Sequence, residues 1–455
     1  MKQKNTDLTQ GSISMKLMLF VLPLLGSSLI QQLYNTVDLM FVGNLLGKDA
    51  SAAVGTCGWP INCLVGFFTG MGVGVGVLVS QAYGGKDFAK VKYIIRNAMG
   101  LVLAGSVVLM IIGMAFAPTI LRMMNTPENI LDMAVVYARI YFLSMFSIIG
   151  YNFSAGILRA LGNSRSPMIY QLFGGIANVF GNTLFIYVLD MGVAGAALAT
   201  FCSQTVAAAL TIRHLCKLRE EYRLELRTIT LKLDALKRIF AVGVPMGIQT
   251  TLVSVSLLLL QSQINTMGVT SMAAYTAYSK MESFVYLPMW AVGQANTTFV
   301  GQNLGNGKIR RAEKGTRTAL ILGIVITLAI TLPLTYFSDT VLRLFSNEGD
   351  VIALGSKIIV RLFPLYFLYV FVEVLSGTIR GAGKSAPVMV IILVNMFVVR
   401  LIFLAIAMML FDTVYEVALI FPATWLTTAI SVGTYYLTGR WKKDWIETEE
   451  HAVLS

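Results

Sequence analysis

Apolar runs of about 20 residues or more recur along almost the whole chain, near positions 15–42, 52–80, 93–117, 133–158, 167–189, 192–215, 237–265, 272–300, 316–337, 353–377, 386–410 and 414–438. As a helix, each is long enough to cross roughly 30 Å of hydrocarbon. The expected fold is therefore an all-α polytopic membrane protein with about twelve transmembrane helices. The composition agrees, since 56% of the 455 residues are hydrophobic, 13% are charged and the mean hydropathy is +0.72. No soluble globular domain has that balance.

The net charge of +12 does not form one patch, as a nucleic-acid surface would. Taken with alternate loops, 27 of the Lys and Arg residues fall on one side of the membrane, and Lys48, Arg122, Arg343 and Lys357 fall on the other. The positive-inside rule then puts both termini in the cytoplasm. The first apolar run is too long, and too polar at its end, for a cleaved signal peptide.

The stretch Gly377-Thr-Ile-Arg-Gly-Ala-Gly-Lys-Ser385 ends like a phosphate-binding loop, but Thr378 stands where that motif needs its first glycine. The stretch is instead half of a repeat. Gly156-Ile-Leu-Arg-Ala-Leu-Gly-Asn-Ser164 precedes it by 221 residues, with Gly, Arg, Gly and Ser in the same places. Pro23 pairs with Pro245, Gln81 and Gly84 with Gln302 and Gly305, and Pro167 with Pro387, at offsets of 222, 221 and 220. These markers imply two six-helix halves. Because six is even, the halves share one orientation, the parallel-repeat arrangement of some transporters. The expected divisions are an amino-terminal bundle over 1–216, a cytoplasmic linker over 217–236, a second bundle over 237–440 and a cytoplasmic tail over 441–455. The linker is amphipathic enough to lie on the inner leaflet as a helix, and a solvated connector fits equally. In the signature turns, glycine would permit tight reversals, while arginine caps a helix end or meets lipid phosphate.

Gly66, Gly70, Gly72, Gly74 and Gly76 crowd the second helix without forming a dinucleotide motif, and glycine at i and i+4 lets helices approach closely. Cys57, Cys63, Cys202 and Cys216 show no metal-ligand spacing, and His214 and His451 form no cluster. Nothing suggests a cofactor, a nucleotide, a nucleic-acid partner or a membrane-embedded enzyme.

Seven ionisable residues lie well inside the predicted helices: Asp38, Arg139, Lys280, Glu282, Arg361, Glu373 and Arg400. Such groups are expensive and mark function or pairing. Ser27, Gln31, Asn35 and Asp38 follow at helical spacing and form one polar stripe. The repeat aligns Asp38 with Leu260, so its acid has no counterpart in the second half. A buried acid that loads and releases a proton could couple conformations.

The stretches "TVDLMFVG", "SQAYGGKD", "FVGQNLGNGK", the paired signature turns and "GVAGAALAT" together resemble the multidrug and toxic compound extrusion (MATE) family, in its bacterial branch. The resemblance implies two six-helix bundles that export amphipathic, often cationic drugs in exchange for protons or sodium. It assigns the coupling site to Asp38, Asn178 and Thr200, with Gln31 on the same stripe, while Asn182 stands where the family pattern has a second aspartate. Asparagine can still donate, accept or ligate sodium through its carbonyl. Candidate substrate contacts are Asn35, Glu282 and Glu373, with Tyr275, Tyr278 and Met289 as lining. The two glutamates could equally be paired with Arg361 or Arg400. Small drug-like molecules and membrane lipid are the expected partners, and a bacterial cytoplasmic membrane is the expected location. The alternative is a flippase for a lipid-linked oligosaccharide of the same superfamily. That activity would need several arginines in the first half, where only Arg139 lies deep.

Overall fold

The computed structural model describes residues 7–124 and 126–447, without the side chains of Asn35, Leu39 and Trp59. The described residues include Asn35 only as backbone, and the end of the tail, with His451, lies outside them. They form seventeen α-helices with short π and 3-10 turns and no strand. Eight helices are long and apolar enough to span a membrane, and ten when each of two bent pairs counts as one span. The first of the eight is a 72-residue element from Ile13 to Gly84. At about 1.5 Å per residue it would run far beyond one bilayer. It contains two helices, α1 (Ile13–Phe41) and α2 (Gly47–Gly84), parted at Gly47 with φ +83°. The 37-residue α9 (Val269–Gly305), expected from the sequence to cross, is not among these candidate spans.

The chain divides into two compact units. The first takes residues 23–247, and the second takes 7–22 and everything from Ile248. Both seams fall beside a helix-internal proline, Pro23 in α1 and Pro245 in α8 (Leu233–Asn265). The two bent spans are also repeat partners. One joins α4 (Glu128–Leu143) to α5 (Met145–Ala160) at 43°. In the other, α12 (Gly349–Leu362) with its 3-10 end meets α13 (Phe367–Gly381) at 47°.

In the first unit, α3 (Phe88–Met123), α6 (Arg165–Asn182) and α7 (Gly192–Cys216) complete the bundle. The glycines of α2 are packing surfaces. A Cβ on Gly74 would sit 2.5 Å from the Cα of Gly243, and one on Gly70 would sit 2.6 Å from the nitrogen of Gly247. Gly72 meets α5 just as closely, because a Cβ on Gly156 would lie 2.6 Å from its oxygen. Helices can touch along backbone only where side chains are absent.

The linker does not form the amphipathic helix considered above. Apart from one 3-10 turn, Leu226–Thr228, residues 219–232 are irregular and docked on α3. Lys92 pairs with Glu225 at 2.8 Å, Arg96 donates to Thr228 Oγ1 at 2.6 Å, and Lys232 N donates to Asn97 Oδ1 at 2.7 Å. The Asn97 bond satisfies a linker backbone group, Lys232 N, and the other two fix linker side chains on α3.

In the second unit, α10 (Ile309–Tyr336), α11 (Ser338–Leu342), α14 (Ser385–Leu393), α15 (Arg400–Leu410), α16 (Val414–Val417) and α17 (Ile420–Leu437) surround α9 and α13. Residues 7–22 belong here. Leu8 is fully buried, its carbonyl accepts from Asn303 Nδ2 and Arg311, and Lys308 Nζ donates to the Thr9 carbonyl at 3.0 Å.

The signature turns use glycine as expected, with Gly162 at φ +85° and Gly383 at φ +87°. Their arginines do not reach for lipid phosphate. Arg159 hydrogen-bonds the buried Tyr151, and Arg380, 5% exposed, donates to Gln249 Oε1 at 3.1 Å.

Candidate functional site

Asp38 sits four residues before a π-helical turn, Val42–Leu46, that continues α1. Opposite it, α6 also ends in a π turn, Thr183–Val188. Asn178 and Asn182 lie one turn apart on α6, fully buried and on the same face. Asn182 Nδ2 donates to Asp38 Oδ1 at 2.7 Å and to Asn178 Oδ1 at 3.2 Å. The Asn182 Oδ1 is left buried without a partner. A carboxylate beside an orphaned amide oxygen is an oxygen-donor set of the kind that suits a hard cation or a carried proton. The amide can also answer either protonation state of Asp38, donating to the carboxylate or accepting from the acid.

The other expected members stand further out. The hydroxyl of Thr200 donates to its own helix, to Ala196 O at 3.2 Å, and makes no hydrogen bond to Asp38 among the described residues. Gln31 is exposed and bonds the Tyr34 hydroxyl, which also accepts from Gln204 Nε2 at 3.0 Å. Tyr34, Tyr137 and Tyr141 lie within electrostatic reach of Asp38. Sequence reasoning missed these phenols, although Tyr34 is one helical turn from Asp38.

The second unit has a larger polar string on facing sides of α9 and α13. Tyr278, Glu282, Tyr286, Met289 and Gly293 follow at helical spacing, and so do Tyr366, Tyr369, Glu373 and Arg380. Tyr278 and Tyr366 share a hydrogen bond of 2.8 Å, and Tyr366 also bonds Glu282. The hydroxyls of Tyr369 and Tyr286 donate to Glu373 Oε1 at 3.3 and 3.5 Å. Tyr275, Tyr278 and Met289 are buried in this seam, whereas Phe284 is exposed.

Neither glutamate is in an ion pair among the described residues. Arg361 is exposed and lies over the Tyr415 ring at 4.1 Å, and Arg400 faces Phe421. The tyrosines take the place of the arginine partners considered from sequence. Lys280 and Arg139 are exposed, and Arg139 donates to the Met114 carbonyl. Among the described residues no cluster of three His, Cys, Asp or Glu could hold a metal.

The family model MatE matches the chain twice, over residues 23–184 and 245–406, so that each match opens on one proline of the repeat. The chain belongs to the MatE family. This MatE chain is 29% identical over 456 residues to the probable multidrug resistance protein YpnP of Bacillus subtilis, covering 98% of this chain and 100% of that one. It is 26% identical to the probable multidrug resistance protein NorM of Thermotoga maritima over 86% of this chain and 84% of the other. A solved structure of an outward-facing multidrug resistance MATE family transporter of the MOP superfamily matches with a TM-score of 0.90 at 23% identity, covering 97% of this chain and 99% of that one. The MatE fold is thereby shared over nearly the full chain.

Proposed function

We propose that this protein is a cation-coupled multidrug exporter of the bacterial cytoplasmic membrane, with both termini in the cytoplasm. It exchanges amphipathic, cationic compounds for protons or sodium by alternating access. The observation that carries the reading is the Asp38–Asn182 contact of 2.7 Å, an intramembrane carboxylate held by an amide that still has an unused oxygen. Such a group can exchange a proton or ion as its access to water changes. The multidrug-resistance names of relatives aligned over most of the chain support the drug-export part. Glu282 and Glu373, bonded by tyrosines and not by arginine, offer negative charge and aromatic surface to a cationic substrate in the second unit. The flippase alternative would need several arginines deep in the first unit, and Arg139, the one expected there, donates to the Met114 carbonyl.

The test is efflux of a fluorescent cationic dye from proteoliposomes under an imposed pH gradient or, separately, a sodium gradient. Wild type and Asp38→Asn are compared. Gradient-driven efflux that disappears in the variant is expected. Efflux under either gradient that survives Asp38→Asn sinks Asp38 as the coupling acid, and no dye movement at all sinks the exporter.

A further inference from the structure

Lys357 and Arg361 stand one turn apart on α12, both exposed, and both lie over the ring of Tyr415 in α16, at 5.5 and 4.1 Å from its centre. Cations four residues apart on a helix repel each other, and here one ring draws them together. No carboxylate neutralises them. Among the described residues neither enters an ion pair, and the acid next to Tyr415, Glu416, accepts from the Thr413 hydroxyl. Asp350, the acid of α12 itself, lies about two turns before Lys357. A guanidinium stacked on a ring keeps its N–H donors at its edge, where a further acceptor can reach them.

The depth of the pair points to that acceptor. α13 ends at the signature turn with Gly381, and Arg361 precedes it by about 20 residues, the length of helix that crosses about 30 Å of hydrocarbon. Lys357 lies one turn further out. Tyr415 reaches the same level by another route, because the span that starts at Ser385 ends at Leu410 and residues 411–413 lead into α16. The two cations thus sit at the headgroup boundary of the leaflet opposite the signature turns, on the side where the chain otherwise carries only Lys48, Arg122 and Arg343. Val360, beside them on α12 and 50% exposed, offers apolar surface to an acyl chain. At the repeat offset of 221 the first unit has Val136, Ile140 and Ala194 instead, so the cluster is not part of the shared scaffold.

We propose that Lys357, Arg361 and Tyr415 bind the phosphodiester headgroup of an anionic membrane lipid. Arg361 takes two phosphate oxygens through its fork, Lys357 adds a point charge, and the ring holds both in place. The leaflet is the outer one on the orientation proposed above, but the binding itself needs neither that orientation nor transport, so the two readings fail separately.

The experiment is a scintillation proximity assay with tritiated phosphatidylglycerol, and with zwitterionic phosphatidylcholine, on the immobilised full-length protein in detergent. Wild type is expected to bind phosphatidylglycerol saturably and about tenfold or more tighter than phosphatidylcholine. Lys357→Gln combined with Arg361→Gln should lose that tight binding. Arg122→Gln combined with Arg343→Gln removes the same charge from the same side and should keep it. Tyr415→Phe retains the ring and should bind as wild type, whereas Tyr415→Leu should bind more weakly, which separates a positioning ring from a misfolded variant. Wild type without a preference for phosphatidylglycerol overturns the proposal, and so does tight binding that survives Lys357→Gln with Arg361→Gln or falls equally in both double variants. Inorganic phosphate in millimolar excess that displaces the lipid from wild type overturns the lipid assignment in favour of a soluble phosphate.

Discussion

Asn182 Nδ2 lies 2.7 Å from Asp38 Oδ1, which ties α6 to α1 at an acid that the second repeat replaces with Leu260. A hydrogen bond to a charged group contributes about 1.5–3 kcal/mol, and the loss is felt fully where water cannot substitute. Asn182→Leu should therefore reduce gradient-driven dye efflux about tenfold or more without preventing assembly. Asn182→Asp does something different. Two carboxylates at this distance titrate as one coupled pair, which can carry up to two protons where Asp38 alone carries one. The number of protons moved per dye, read with a pH-sensitive reporter inside proteoliposomes, should rise in Asn182→Asp. Unchanged stoichiometry with wild-type rates in both variants would remove Asn182 from the coupling site.

Gly74 and Gly55 both lie in α2, and only one of them has room for a methyl group. A Cβ on Gly74 would meet the backbone of Gly243 at 2.5 Å, with no flexible side chain to yield, whereas a Cβ on Gly55 meets nothing within 4 Å. Overpacking costs about 1–3 kcal/mol, while an exposed helical Gly→Ala gains up to about 1 kcal/mol. Gly74→Ala should lower the thermal unfolding temperature in detergent, and Gly55→Ala should leave it equal or higher. Equal behaviour of the two variants would mean that α2 and α8 do not pack through these glycines.

That contrast also shows where the sequence is legible. The spans, the duplication and the glycine-rich packing helix could be read because run length, Pro23 with Pro245, and the signature turns at 156 and 377 are local signals. The stripe ending at Asp38 was readable from its helical spacing. What could not be read was rotation between helices. Whether Glu282 meets Tyr366 or Arg400, and whether Thr200 turns to Asp38 or to its own backbone, depends on how neighbouring helices face each other. The linker misled for a related reason. Its amphipathic pattern suits a helix, but Lys92, Arg96 and Asn97 of α3 bond its side chains and backbone directly. Leu8 gives no signal at all, a single apolar residue in a polar start whose burial depends on residues about 300 positions away.

That leucine belongs to a strap whose strength should depend on acid. Leu8 N donates to Gln302 Oε1, its carbonyl accepts from Asn303 and Arg311, and Asp7 accepts from Thr9 N at 2.8 Å and Thr9 Oγ1 at 2.6 Å. Partial burial pushes the Asp7 carboxyl up, but the two Thr9 bonds, with Lys16 and Lys308 nearby, hold it below its ordinary 3.8. A carboxyl with a lowered folded-state value contributes stability that is complete above its ordinary value and is lost as the pH falls through the lowered one. Asp7→Asn should thus unfold at a slightly lower temperature than wild type by a constant margin between about pH 7 and 5, and the gap should close below 3.8. Leu8→Ala removes a fully buried side chain, with a cost of about 2–5 kcal/mol where a core site cannot collapse. It should raise amide exchange at Leu8 and Thr9 about thirtyfold or more at neutral pH, a loss of about 2 kcal/mol. Exchange at those amides as slow in Leu8→Ala as in wild type would show that the hydrogen bonds alone hold the strap. A gap between Asp7→Asn and wild type that widens in acid would reverse the assigned sign.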